Sequence, residues 1–237
     1  MINAFNPIHI SVNMSGKMEG IDGISTSVLE NPVCKARRNM NDSICQKCFA
    51  AATASRYSAL RKNLSENLSI LSGHILSDRE TPVIFADVFR LESFGDLANV
   101  THARNYIKIA RKNPNTVFTL WTKNYNFLYR AFLIDGKPEN FICGLSSVYI
   151  NRQEEINPDI EKWFDFVFTV YTANYAIENN IKINCGGKKC RACMNCYGDH
   201  AHRKPGEPIR VINELLKQDL KKYVQKTGYA FTDKNAF

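Results

Sequence analysis

Apolar residues fall along this chain in two rhythms. Short, nearly unbroken apolar runs recur at residues 8–12 ("IHISV"), 81–91 ("TPVIFADVFRL"), 116–122 ("TVFTLWT"), 140–150 ("NFICGLSSVYI") and 164–172 ("FDFVFTVYT"). Runs of this length, rich in Val, Ile, Phe and Thr, predict strands. Between them apolar positions recur at helical spacing. Residues 43–76 predict one broken helix or two, residues 96–113 a helix with Asp96 near its start, and residues 125–134 another helix. A shorter polar segment containing "PDIEKWF" separates the last two strands. "NYAIENN" then predicts a short helix, and "IKINC" a last strand that delivers Cys185. Residues 207–226 predict a basic amphipathic helix with Pro208 near its start. Strands alternating with helices predict an α/β fold, a mainly parallel sheet with crossover helices. The sequence contains no repeat, low-complexity tract or clear linker. Residues 1–237 therefore read as a single domain, a sheet-and-helix core over 1–180 followed by a Cys-rich segment and basic helix over 181–237.

Composition narrows the class. A chain of 237 residues buries a sizeable core without disulfides or metals. Its 44% apolar and 23% charged content is that of an ordinary globular protein. No apolar run approaches the roughly 18 residues of a membrane span, so no membrane is expected as a partner. The start "MINAFNPIHISVNMSG" lacks a basic segment followed by an apolar one, so no signal peptide is expected and the location reads as cytoplasmic. In a reducing cytoplasm, clustered cysteines point to metal or catalysis rather than disulfides. Charge is uneven. Between Lys182 and Lys226 eleven basic residues face four acidic ones, a surplus of seven that is nearly all of the net +8. A basic tail attracts nucleic acid or another polyanion, and it also serves as a solvated face around anionic thiolates.

Four of the eight cysteines lie in "CGGKKCRACMNC", as Cys185-x4-Cys190-x2-Cys193-x2-Cys196. Overlapping C-x-x-C steps bring three thiolates onto one tight turn. Structural zinc usually takes one C-x-x-C pair from each of two separated knuckles. An iron–sulfur cubane needs several thiolates from one side of a compact loop, and C-x-x-C-x-x-C supplies them. Soft thiolates also select iron–sulfur, zinc or copper(I) over hard cations. Gly186 and Gly187 let the backbone wrap closely, and Lys188, Lys189 and Arg191 offset negative charge. The group reads as a 4Fe-4S site, with zinc as the alternative.

A second group lies upstream, Cys34-x10-Cys45-x2-Cys48. Three thiols without a local fourth leave two options. Either a distant residue completes the shell, or one iron stays open to a small ligand, as in an open catalytic zinc site. Cys34 follows the loop after the first strand and Cys48 opens a helix. That is the edge of a parallel sheet where such folds place their chemistry. A zinc knuckle shared with the tail is the alternative.

The elements "SGKMEGIDGIS", "C…CQKCFA", "SRYSALRKNLSENL", "FRLESFGDL…ARNYIKIARKNPNTVFTLWTKN" and "C…CRACMNCY" together resemble the phage-encoded gene product eighty-eight family, over roughly residues 13–200. That family is similar to radical S-adenosylmethionine (SAM) proteins. The resemblance implies a cysteine-ligated cluster and a partial β/α barrel. It also implies a cluster on Cys34, Cys45 and Cys48 whose fourth iron binds SAM. It gives the stretch Arg90–Asp96, with Arg90, Glu92, Gly95 and Asp96, the contact to that cofactor. The first cysteine gap is wider than in radical SAM proteins, and Phe49 follows Cys48 where an aromatic usually precedes the third cysteine. Asp96 as a helix cap and Glu92 paired with Arg90 are the plain alternatives.

The remaining candidates are weaker. Cys143 reads as a small core residue, and His9 as a core histidine on the first strand. His200 and His202 read as surface histidines or late ligands, and Arg37 and Arg38 as an anion clamp or plain loop. Trp121, Tyr149 and Tyr171 read as core first and stacking platforms second. Two functions follow from the residues. One is a redox or radical enzyme with one or two 4Fe-4S clusters, working in a host cytoplasm if phage-encoded. The other is a nucleic-acid-binding protein with structural zinc or iron–sulfur sites, whose basic tail meets phosphates. The substrate and the oligomeric state are not legible.

Overall fold

The computed structural model describes residues 7–186 and 188–228. Its frame is one sheet of seven strands: β1 Ile10–Ser11, β2 Asp22–Ile24, β3 Val88–Leu91, β4 Val117–Thr122, β5 Phe141–Ser146, β6 Phe166–Tyr171 and β7 Arg210–Leu215. Their order in space is their order in the chain. β1 is antiparallel to β2, and every other pair is parallel. The expected mainly parallel α/β sheet is therefore present.

Both faces of the sheet are covered, which is why its central strands read as continuous apolar runs. On one face Phe89, Leu91, Phe118, Leu120, Phe141 and Leu145 pack beneath three helices. These are α3 (Ser58–Gly73), α4 (Val100–Lys112) and α5 (Tyr125–Asp135). The alternate residues Val88, Ile142, Phe166, Phe168 and Ile212 point to the other face, where they meet Ile21, Cys190, Cys196, Tyr197 and Ala201. The cysteine-rich segment is thus the lid of the second face, and its short helix α8 spans Cys190–Cys193. At the β6–β7 end, α7 (Ala173–Glu178) and α9 (Leu220–Thr227) enclose Tyr171, Leu215 and Tyr223. The other helices are α1 (Pro32–Arg38), α2 (Phe49–Arg56) and α6 (Pro158–Glu161).

Several expectations are corrected. Residues 207–226 are not one helix, because residues 210–215 form β7, paired along their whole length with β6 from Phe166↔Arg210 to Tyr171↔Leu215. Backbone bonds to β6 and burial of Ile212 and Leu215 outweigh the helix propensity of "ELLK", and helix begins only at Leu220. "IKINC" is not a strand. Only Cys185 bridges to Glu214, while the Asn184 side chain bonds Val211 O and Asn213 N in place of a ladder. The run at 81–91 is a strand only from Val88. β2 was hidden by its three-residue length and central glycine. A Cβ at Gly23 would lie 2.5 Å from Arg90 O, so the β2–β3 contact itself demands glycine. Residues 43–76 do form two helices, parted at Tyr57. Among the described residues no helix is long and apolar enough to cross a membrane.

One position tests this packing. A Cβ on Gly144 of β5 would lie 2.0 Å from the Phe166 ring across the strand pair. Gly144→Ala is expected to lower the unfolding free energy by about 1–3 kcal/mol, as overpacked cores do. An unchanged urea midpoint would contradict the close approach.

Candidate metal centre

The four tail cysteines come together because the segment carrying them is pinned to the sheet at both ends. Cys185 N donates to Asn213 O at 3.0 Å, which fixes its backbone beside β7. Further along, Thr119 Oγ1 of β4 donates to Cys196 O at 2.9 Å, and Arg210 of β7 holds Asn195 O and Ala201 O. Arg191 forms a two-pronged ion pair with Asp87 just before β3, at 2.9 and 2.8 Å. Met194, in the left-handed region at φ 55°, ends α8 and turns the chain toward Cys196.

Cys185, Cys190, Cys193 and Cys196 all line one cavity of ≈ 310 Å³, together with Lys17 and Arg210. Lys17 reaches in from the turn before β2. Its ammonium donates to Cys185 Sγ at 3.3 Å and pairs with Glu214. Burial opposes the Lys17 charge, but Glu214 and Cys185 together hold it well above the usual lysine range. Burial pushes the Cys185 thiol up to about 11 although Lys17 pulls it down. Burial likewise raises Cys190, against Lys17 and Arg90, and drives Cys196 far up with Cys185 reinforcing it. Burial thus favours the protonated form of these thiols, the opposite of the shift that marks a nucleophilic cysteine. A bound cation would invert this balance and deprotonate them.

The upstream group lies at the other side of the fold, on the C-terminal ends of β2 to β5. Asn31 caps α1 by accepting from Val33 N and Cys34 N, and its amide donates to Asp96 O at 2.7 Å. The short turn carrying Cys45 and Cys48 is pinned beyond β5, where Ile44 N donates to Val148 O at 2.9 Å. Cys48 Sγ accepts from Ala51 N and caps α2. Burial, then the neighbouring Asp96 and Glu92, and then Cys45 and Cys48 push the Cys34 thiol far up.

The Arg90–Asp96 stretch divides between the two sites. Arg90 points to the tail, and Glu92, two residues on, would share that face in a regular strand. Glu92 instead has φ 56° and turns to the helix side. There it accepts from Thr26 N and Thr26 Oγ1 and from Tyr106 OH at 2.5 Å, while His102 Nε2 lies 3.1 Å away without hydrogen-bond alignment. Glu92 therefore does not pair with Arg90. A Cβ on Gly95 would lie 2.2 Å from Glu92 Oε2, so this glycine lets its loop close on the carboxylate. Asp96 accepts from Leu97 N, Thr122 Oγ1 and Lys123 N and faces Arg37 at 3.5 Å. It is not the cap of α4, which Asn99 provides by accepting from His102 N. Glu92 and Asp96 are buried and occupied by the chain's own donors.

Other candidates fall into place. His9 is exposed and pairs with Glu66 of α3 rather than lying in the core. Arg37 and Arg38 hold the backbone carbonyls of Lys123 and Val28. Cys143 is buried in the core beneath the helices, and Tyr171 in the α7–α9 cluster. Arg152 stacks on Tyr149 at 3.8 Å. Trp121 lines the cavity, whereas His200 and His202 do not. Gly187 lies outside the described residues. Lys17, Arg210 and Tyr197 were not anticipated. Lys17 in particular meets Cys185 across 168 positions of sequence, and no local signal marks it.

Among the described residues no three His, Cys, Asp or Glu side chains are placed to hold a single metal ion. The donor set of the tail is four thiols around one cavity, with two lysines, Lys17 and Lys188, and Arg210 at its wall, a lining that leaves room for a bulkier thiolate-bound centre.

The family model described as gene product 88 matches residues 22–219, most of the chain, and the protein belongs to that family. No curated protein and no solved structure matches it.

Asp96 gives a test of the upstream frame. Asn at this position would set an amide NH₂ against one of the donors that now face a carboxylate. Asp96→Asn is expected to destabilise the protein by about 1.5–3 kcal/mol in urea unfolding, the range for hydrogen bonds to a charged group. Unchanged stability would show that these bonds are not made.

Proposed function

We propose that this member of the gene product 88 family is an iron–sulfur protein, a radical-SAM-like enzyme working in a reducing cytoplasm. The observation that carries the reading is the convergence of Cys185, Cys190, Cys193 and Cys196 on one cavity. A cubane cluster keeps its thiolates further apart than one ion does, since four sulfurs around zinc each sit about 2.3 Å from it. A cavity lined by four thiols that are not gathered on one point suits the cluster better. The upstream Cys34, Cys45 and Cys48 would hold a second 4Fe-4S cluster with one iron open to a small ligand, and the resemblance names SAM as that ligand. When bound, such clusters supply one-electron chemistry. A partial β/α barrel is supported by the strand order, because a sheet wound in one direction without reversal coils progressively on itself.

The chain's own residues would do the following. Asp96, Arg37 and Thr122 fix the ends of β3 and β4 against α1, which carries Cys34. Glu92, held by Thr26 and Tyr106, sets the loop over β2 and β3. Phe49, directly after Cys48, packs edge-on to Phe94 at 5.5 Å and is otherwise exposed. Arg90, Glu92, Gly95 and Asp96 would thus act on the bound groups through placement of the loop and of the sheet face. The nucleic-acid reading gains less support, since Lys17, Lys189, Arg191 and Arg203 of the basic region and its surroundings pair with the chain's own carboxylates.

The test is made without oxygen. Cys193→Ala and Cys45→Ala are each expected to remove about half of the iron and sulfide, one cluster of two, while Cys143→Ala removes none. Iron unchanged in Cys193→Ala would refute the tail site. In Cys193→Ala the surviving reduced cluster should change its electron paramagnetic resonance spectrum on addition of SAM. An unmoved spectrum would refute SAM as the ligand.

A further inference from the structure

Arg90 is the one buried lysine or arginine among the described residues, at 5% exposure. Its guanidinium carbon stands 3.7 Å over the Trp121 ring, and Nη1 lies 3.4 Å from Tyr197 OH. Its Nε has no hydrogen-bond partner, and among the described residues no carboxylate pairs with it. The nearest carboxylate in sequence, Glu92, is turned to the opposite face. A buried guanidinium without a counter-charge is costly, so its anion is to be sought next to it. Next to it are the tail thiols. The two side chains it touches, Trp121 and Tyr197, both line the cavity that Cys185, Cys190, Cys193 and Cys196 line.

Two further donors repeat the pattern. Arg210 and Trp121 both line the thiol cavity, and Arg210 Nε and Trp121 Nε1 are both buried without a hydrogen-bond partner. Lys17 does not meet this need, because Glu214 balances its charge. Arg210 thus stands at the wall of the cavity and Arg90 directly behind Trp121 and Tyr197, which line it, each with a donor unused.

We propose that the thiol-lined cavity holds an anionic metal–thiolate centre, and that Arg90, backed by Arg210, is its fixed counter-charge. The proposal rests on the reading of the tail as a cluster site. A four-thiolate iron–sulfur cluster is anionic. The stack on Trp121 holds the cation in place without neutralising it.

The test separates charge from packing. Wild type, Arg90→Met and Arg90→Lys are purified without oxygen, and half of each sample is stripped with a chelator. In the loaded protein, Arg90→Met is expected to lower the melting temperature and to release metal to chelator roughly ten-fold faster or more, as loss of charge-assisted contacts would. Arg90→Lys should restore most of both. In the stripped protein, Arg90→Met should not lower the melting temperature, since an unpaired buried charge has been removed. An equal loss in loaded and stripped samples, or no rescue by lysine, would overturn the proposal and leave Arg90 a packing residue. If Arg90→Met cannot be loaded, Arg90→Gln removes the charge with less loss of polarity and is read the same way. Iron and sulfide in the wild-type sample decide the iron–sulfur reading separately, because the variants are compared only once the wild-type chain is shown to carry the cluster. A wild-type chain that binds no metal overturns both.

Discussion

The structure depends on how the second face of its sheet is covered. A parallel sheet laid down in chain order packs α3, α4 and α5 on one face. The other face carries Val88, Ile142, Phe166, Phe168 and Ile212, and side chains of that size each gain about 1.5–3 kcal/mol from burial. Among the described residues no long helix meets them there. They are met by the turn before β2 and by the segment that holds the four tail cysteines. That segment has only a four-residue helix of its own, far below the length at which a helix stands alone. It is held by the sheet, by Thr119 and by Arg210. Core and candidate site are therefore one piece of packing.

A single strand connects the two cysteine groups. On β4, Thr119 holds the carbonyl of Cys196, and Thr122 holds the carboxylate of Asp96, whose neighbour Arg37 lies on the Cys34 helix. Three residues of strand separate these contacts, about 10 Å. The two groups share a scaffold but sit in different surroundings. The tail group is walled by cations and indole, the upstream group by carboxylates.

Much of the fold was legible because it was repeated in the sequence. β4, β5 and β6 are buried on both faces and read as unbroken apolar runs, and α4 and α5 show clear helical spacing. β7 was not legible, because "VINELL" suits a strand or a helix equally and the β6 edge decided the matter. β2 was too short to read. The cysteine spacings marked both groups, and the structure places the four tail cysteines around one cavity. Their supporting residues did not announce themselves. Lys17 and Arg210 reach the tail through topology alone. Arg90 and Glu92 have the spacing of one strand face, and only the positive φ of Glu92 separates them. The expectation that Glu92 and Asp96 contact a ligand comes from the family resemblance. In the structure their oxygens are taken by Thr26, Tyr106, Thr122 and Lys123.

The central claim is that the thiol-lined cavity is built for a thiolate-bound cluster. The most direct measurement is the content of iron, acid-labile sulfide and zinc per chain in protein prepared without oxygen. The account predicts iron and sulfide in equal amounts, with zinc absent or in trace. Stoichiometric zinc without sulfide, or a chain that folds with no metal at all, would contradict it.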